Sequence, residues 1–278
     1  MKKLIISSLA MAVIVSCSSS NDNPEDNNNG SNNNTPYLVK KLTEVAPDGQ
    51  SYVVEYKYDG TKITEALDVT DNEKTLYTYD GDNIVKTELF RNGVMKIMRE
   101  FTYSNGRLAS EKVTNKEQAG TLVYTENYQY LSDNHVKYND YHSATYNPAT
   151  ATFSDIKYTQ KDVYINNAGN LASMSYSYNG ISRNVTFAYD GNNNPMKNVK
   201  GLIKIDMFSL GDGGGDGEVG YNNLIYLNGA YSGIVNDTNQ TTGVHTLNNA
   251  DYPTKSVMKE TSSVTGTVVR TYLYEYNK

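Results

Sequence analysis

From Tyr37 onward, apolar and polar residues alternate with period two, and the alternation breaks at short intervals on Gly, Asn and Asp. In a strand this period puts every second side chain on one face, so Tyr52, Val54, Tyr56 and Tyr58 share a sheet face. Tyr77-Thr78-Tyr79-Asp80-Gly81 shows the unit: an aromatic-x-aromatic strand end runs into a turn. Tyr56-Lys57-Tyr58-Asp59-Gly60, Phe101-Thr102-Tyr103-Ser104-Asn105-Gly106, Tyr176-Ser177-Tyr178-Asn179-Gly180 and Phe187-Ala188-Tyr189-Asp190-Gly191 repeat it. Tyr128-Gln129-Tyr130 and Tyr274-Glu275-Tyr276 are weaker copies. Asp-Gly and Asn-Gly between such strands are hairpin signals, because type I′ turns need positive φ at both central residues.

A hairpin recurring at roughly 20 to 27 residues predicts a repeat architecture. The expected fold is mainly β: repeated antiparallel hairpins forming a large curved sheet or half-barrel, with one short helix. Asn194 as N-cap, Pro195 at the first position, apolar Val199, Leu202, Ile203, Met207 and Leu210 at helical spacing and Gly211 as terminator place that helix at 195–210. It is expected to cover part of the aromatic face. The repeats drift between 114 and 170, which leaves strand register open there.

The first 36 residues depart from this pattern. Lys2 and Lys3 precede an apolar run, Leu4 to Val15, too short for a bilayer that needs roughly 20 residues, so 1–16 reads as an export signal. Ile14-Val15-Ser16-Cys17 resembles the lipobox of bacterial lipoproteins, and Cys17 is the single cysteine of the chain. An exported protein with one thiol has no disulfide partner, and lipidation at the cleavage site accounts for it. Residues 17–36 are then lipid anchor and Asn/Ser-rich tether, too polar to form a core, and 37–278 a single β domain. By resemblance to lipoprotein sorting signals, Ser18 after the cysteine implies the outer membrane, and acidic Asp22, Glu25 and Asp26 imply export to the cell surface; surface and periplasmic sides both stay open.

Composition narrows the function. The chain has 25 Tyr, no Trp and a net charge of −6 over 278 residues, so it lacks the basic excess of a nucleic-acid binder. His135, His142 and His245 fit no zinc spacing, no Gly-x-Ser-x-Gly elbow occurs, and the Gly run after Asp212 lacks the Lys-Ser/Thr of a phosphate loop. Asp212, Asp216 and Glu218 miss a calcium loop's ligand positions. The expectation is therefore a non-enzymatic protein without cofactor or metal.

The tyrosines carry the remaining signal. As packing, the paired aromatics stack across hairpins and form the core, each cross-strand pair contributing about 0.2–1 kcal/mol. As a site, Tyr58, Tyr79, Tyr103, Tyr178 and Tyr189 would form an exposed stripe for sugar rings or acyl chains. The hairpins resemble the tyrosine-aspartate (YD) repeats of large secreted shell proteins. More of the chain, including Tyr189-Asp190-Gly191 to Asn194-Pro195, Tyr221-Asn222-Asn223-Leu224 and Asp251-Tyr252-Pro253-Thr254-Lys255, resembles a group of Bacteroidota outer-membrane lipoproteins of unassigned function with a porin-like fold. That resemblance implies a lipid-anchored envelope protein with a binding or structural role. A glycan ligand on the Tyr face is the first reading; a carrier of lipid or another hydrophobic ligand is the alternative. An apolar enclosed lining favours the carrier, an exposed Tyr stripe favours glycan, and acids clustered in a cleft favour an enzyme.

Overall fold

The structure is a computed structural model and describes residues 35–117, 119–209, 220–233 and 236–278. The export segment, Cys17, most of the tether and the glycine run at 210–219 lie outside the described residues. Strands β1 (Val39–Val45), β2 (Ser51–Asp59), β3 (Lys62–Asp68), β4 (Glu73–Asp80), β5 (Asn83–Arg91) and β6 (Val94–Ser104) open the chain. They are followed by β7 (Arg107–Asn115), β8 (Leu122–Ser132), β9 (His135–Asn147), β10 (Thr152–Ile165), β11 (Leu171–Tyr178) and β12 (Ile181–Tyr189). A short helix α1 (Leu202–Asp206) and a 3-10 turn precede β13 (Leu224–Gly233), β14 (Asp237–Leu247), β15 (Pro253–Ser262) and β16 (Gly266–Tyr276).

Each strand is antiparallel to its sequence neighbours, and β1 pairs with β16 through Lys41↔Glu275, Leu42↔Tyr274 and Thr43↔Leu273. The sheet is thus a closed 16-stranded barrel, and the half-barrel expectation is corrected. An open sheet of this kind leaves two edges of unpaired N–H and C=O groups, and closure satisfies both. Across residues 114–170, where sequence left the register open, pairing continues, with bulges at Ser154/Lys157 and Lys157/Tyr158 in the long β9–β10 hairpin.

The repeat motif has a defined structural meaning. In β2–β3, β4–β5 and β6–β7 a bulge falls just before the second aromatic: between Lys57 and Tyr58, Thr78 and Tyr79, and Thr102 and Tyr103. Alternation and the tight turn put both aromatics and the first aliphatic after the turn (Ile63, Ile84, Leu108) on the lumen side. The bulge inserts one extra residue in the second strand (Thr64, Val85, Ala109), shifts the inward parity beyond it and adds twist. Those aliphatics are 0–1 % exposed, and Tyr77, Phe101 and Tyr128 are buried beside them. Each large side chain so buried contributes about 1.5–3 kcal/mol. Only some turns follow the type I′ rule. Asn105 and Gly106 both have positive φ (51° and 74°), whereas after Asp59 only Gly60 does (59°), as in a type II′ turn with Gly first.

The expected helix at 195–210 is shorter. Asn194 Oδ1 accepts the Met196 N–H at 2.9 Å, forming a local turn rather than a helix start, and Gly201 at φ 74° breaks the backbone before α1. Residues 194–208 nonetheless do what the helix was expected to do: Met196, Val199, Leu202, Ile205 and Phe208 join the lumen core. They plug the end that carries the β2–β3, β4–β5, β6–β7 and β8–β9 turns. Lys200 N donates to Thr61 O at 3.0 Å, Lys200 Nζ lies 2.8 Å from Asp82 Oδ2, and Lys204 Nζ lies 2.8 Å from Asn83 Oδ1.

Gly201 is the seat of this plug. A Cβ there would lie 2.8 Å from Asp82 O and 3.0 Å from Ile84 N, both backbone atoms, and would hold a left-handed conformation costing about 1–2 kcal/mol. Gly201→Ala is expected to lower Tm by about 4–8 °C, taking about 2–4 °C per kcal/mol for a domain of this size. Gly191→Ala, where nothing lies within 4 Å of an added Cβ, is expected to melt within about 1 °C of the parent. Thermal unfolding followed by circular dichroism distinguishes the two.

Candidate functional site

The proposed Tyr stripe faces the lumen, and most of its hydroxyls already have partners. Tyr58 donates to Val39 O at 2.8 Å and Tyr103 to Ile84 O at 2.6 Å, each reaching back one hairpin. Tyr79 donates to the plug at Lys200 O, 3.0 Å away, and Tyr138 to Phe208 O at 2.9 Å. The ladder is therefore joined chiefly by hydroxyl-to-carbonyl bonds. Ring stacking occurs elsewhere, as in Tyr128 on Tyr138 with centroids 5.0 Å apart. Tyr189 is packed against the core with a buried hydroxyl. Tyr178 belongs to a copy that points the other way, since β11–β12 turns at the end opposite the plug, where its ring meets His142. These five tyrosines do not form one exposed surface.

Sequence reasoning missed the other half of the lumen, which is charged. On β6, Arg99 shares the inward face of Phe101 and bonds Glu111 of β7. Glu111 stands directly opposite Glu126 of β8. The Tyr128 hydroxyl bridges them, 3.5 Å from Glu111 Oε2 and 3.4 Å from Glu126 Oε2, and Glu126 Oε1 accepts the Tyr141 N–H at 3.0 Å. Burial raises the Tyr77 and Tyr103 hydroxyls, and buried Asp206 of α1 lies close enough to add to both shifts. Burial pushes the Glu126 carboxyl up to about 8, helped by the charges of Glu111 and Asp140. Burial likewise drives Asp206 well above the usual carboxylate range, against the pull of Arg99. Inward-facing Arg99 keeps 39 % of its side chain accessible, so water enters this half of the barrel.

A second inward row crosses five adjacent strands. Tyr138 of β9 faces Lys161 of β10, Lys161 faces Tyr176 of β11, Tyr176 faces Arg183 of β12, and Arg183 faces Tyr231 of β13. Lys161 is 1 % exposed and Arg183 2 %. Lys161 Nζ is 3.1 Å from Asp140 Oδ2 and 5.6 Å from the centroids of both Tyr138 and Tyr176. The Arg183 guanidinium lies 4.6 Å from the Tyr231 centroid. Farther round the wall, Arg270 sits 3.3 Å from Glu44 and 2.6 Å from Glu260. Such positions carry no signature in sequence beyond a charged residue at an inward parity.

The outer face is polar as well. Lys41 lies 2.8 Å from Glu275, Lys57 2.7 Å from Glu65, Lys112 2.9 Å from Glu100 and Lys137 3.1 Å from Asp162, each pair at outward positions. The histidines are structural: His135 pairs with Asp162, and His245 bonds Ser256 Oγ at 2.7 Å and Leu224 O at 2.9 Å. Among the described residues, no three His, Cys, Asp or Glu are placed to hold a metal ion. No helix among them is long and apolar enough to cross a membrane, which bears on helices alone.

No protein-family model and no curated relative matches the chain. Among solved structures, it is similar to a porin-like protein from Bacteroides vulgatus, with 17 % identity and a TM-score of 0.54 over 87 % of this chain and 99 % of that one. It also matches a porin-like protein from Bacteroides uniformis at 12 % identity and a TM-score of 0.45, with the same coverage. The first likeness is one of fold.

The carboxyl cluster under the plug makes stability depend on pH. Folded Glu126 holds its proton to about 8 instead of the ordinary 4.5, so the folded state binds more protons between those values. Its contribution is full below about 4.5 and is lost as pH rises through about 8, and Asp206 acts in the same direction. Tm is expected to fall between about pH 4.5 and 8 and to level off above that, and Glu126→Gln to flatten part of that fall. Melting curves across this range that run parallel for variant and parent would contradict the assignment.

Proposed function

We propose that this chain is an envelope lipoprotein, held at the outer membrane by acyl chains on Cys17, whose barrel stands in water and binds a small polar ligand in its lumen. The observation that carries this reading is the outer face. A barrel that spans a bilayer presents an apolar band about 25 Å tall between aromatic girdles, and each outward Lys near the midplane costs about 2–4 kcal/mol. Here Lys41, Lys57, Lys86 and Lys112 stand on outward faces in strands, beside carboxylates on the same or adjoining strands. Lys112 and its partner Glu100 are 49 % and 43 % exposed. Such pairs suit water.

The charged half of the lumen supports a polar ligand over the lipid-carrier alternative, which calls for an apolar lining. Glu111 and Glu126 are the nearest approach to an acid pair for hydrolysis. Both are buried, and both are held by protein partners: Arg99 on Glu111, the Tyr141 N–H on Glu126 and the Tyr128 hydroxyl between them. We read them as part of the fold and the protein as a binder rather than an enzyme.

Fractionation of cells expressing the full chain tests this reading. The parent is expected with outer membranes, and Cys17→Ala in the soluble fraction without detergent. In planar bilayers the full chain is expected to give no stepwise conductance. Retention of Cys17→Ala in membranes after carbonate washing, or ion-conducting steps, would place the barrel in the bilayer and overturn the reading.

A further inference from the structure

On the β10–β14 wall, three buried polar atoms of inward side chains have no hydrogen-bond partner among the described residues: Thr159 Oγ1, Arg183 Nε and Asn239 Oδ1. Thr159 lies two residues from Lys161 on the same face of β10. Asn239 of β14 faces Gly229 of β13, over the space that a side chain at Gly229 would fill, two residues along from Tyr231. All three lie on the wall that carries the row of Lys161, Tyr176, Arg183 and Tyr231, with Asn239 one inward row to one side of Arg183 and Thr159 one inward row to the other.

Arg183 is the anomaly in this group. Among the described residues, other inward cations have carboxylates: Arg99 has Glu111, Lys161 has Asp140, and Arg270 has Glu44 and Glu260. Arg183 has the ring of Tyr231 and no carboxylate among the described residues. A guanidinium cannot discharge itself by losing a proton, and a buried charge without a counter-charge is strongly unfavourable. Its Nε–Nη edge presents two parallel N–H donors, the geometry that matches the two oxygens of an acid group. Tyr176 and Tyr231, on either side in register, remain half-exposed to the lumen, which leaves that stretch of wall reachable.

Resting on the reading of the lumen as a ligand compartment, we propose that Arg183 is the anchor of a binding site for a small hydroxylated organic anion. Its acid group takes the fork of Arg183, and a hydroxyl donates to Asn239 Oδ1, with the half-exposed faces of Tyr176 and Tyr231 alongside. Thr159, one row away on the other side of Arg183, lies outside the reach of the same small molecule. Sugar acids and sugar phosphates share this chemistry. Lys161, already bound to Asp140, contributes field rather than a direct contact.

Isothermal titration of the full chain in detergent micelles with galacturonate, glucuronate, glucose 6-phosphate and glucose tests the site. At least one of the three anions is expected to bind with Kd below about 1 mM, with glucose weaker by about tenfold or more. The stronger of carboxylate and phosphate identifies the source. Arg183→Met is expected to lose about tenfold or more of the anion affinity and, without ligand, to melt above the parent, because an uncompensated buried charge is gone. Arg183→Lys keeps the charge without the fork and is expected to bind between the two, so the test survives a failure of the Met variant to fold. No binding by any of the three anions, or equal anion binding by parent and Arg183→Lys with no loss in Asn239→Ala, overturns the proposal. Glucose binding as tightly as the acids would overturn the anion site while leaving the lumen reading in place.

Discussion

The pairing of β1 with β16 is the constraint on which everything else depends. Once the first and last strands meet, with Leu42 against Tyr274 and Lys41 against Glu275, every strand has two neighbours and every side chain an assigned side. Inside and outside become properties of parity alone. An open sheet with the same residues would leave Arg99, Lys161 and Arg183 on a broad wet surface, where their ionisation costs little. In a closed wall they face one another across an enclosed space, and each needs a partner.

Within that space the plug divides the lumen into two regimes. Near the turns that follow the aromatic pairs, the wall is Tyr, Phe, Ile and Leu, and the plug supplies Met196, Val199, Leu202 and Phe208 to pack against it. Toward the other end the wall holds carboxylates and cations arranged by cross-strand register. Asp206 stands at the boundary: it belongs to α1 by sequence and to the charged region by its neighbours, and burial, with Glu111 adding to it against the pull of Arg99, holds its carboxyl well above the usual range. The porin-like architecture thus appears here with a charged lumen and with ion pairs on its outer strands.

Much of the architecture was legible because it is local. Period-two alternation gave the strands, and Asn105-Gly106 gave a hairpin whose φ values follow from the residues themselves. The aromatic pairs of β2, β4 and β6 lie in or against the core, as the packing reading expected and the exposed-stripe reading did not. The hydroxyl-to-carbonyl bonds of Tyr58, Tyr79 and Tyr103, however, depend on strand register and on the plug, which no single stretch of sequence sets. The copy ending in Tyr178 has the same local sequence as the others and lies at the opposite end, because hairpin order along the chain, not motif content, decides which way a turn points. Closure could not be read, since the bond between Lys41 and Glu275 joins residues 234 apart. Arg183 left no trace either: in Ile181-Ser182-Arg183-Asn184-Val185 it looks like any polar strand residue, and only its own burial and its unpartnered Nε make it unusual.

The same closing pair governs how the chain reaches its native state. β1 is synthesised before any other strand and its partner β16 last, and the loop-closure entropy of joining the two ends makes the seam a late event. Until then the barrel passes through a stage with two open edges, the form most prone to pair with another molecule. Lys40 and Lys41 on one edge and Glu275 on the other set opposite charges on the two sides of that seam. They oppose the pairing of two like edges from separate chains while favouring the union of the two edges within one.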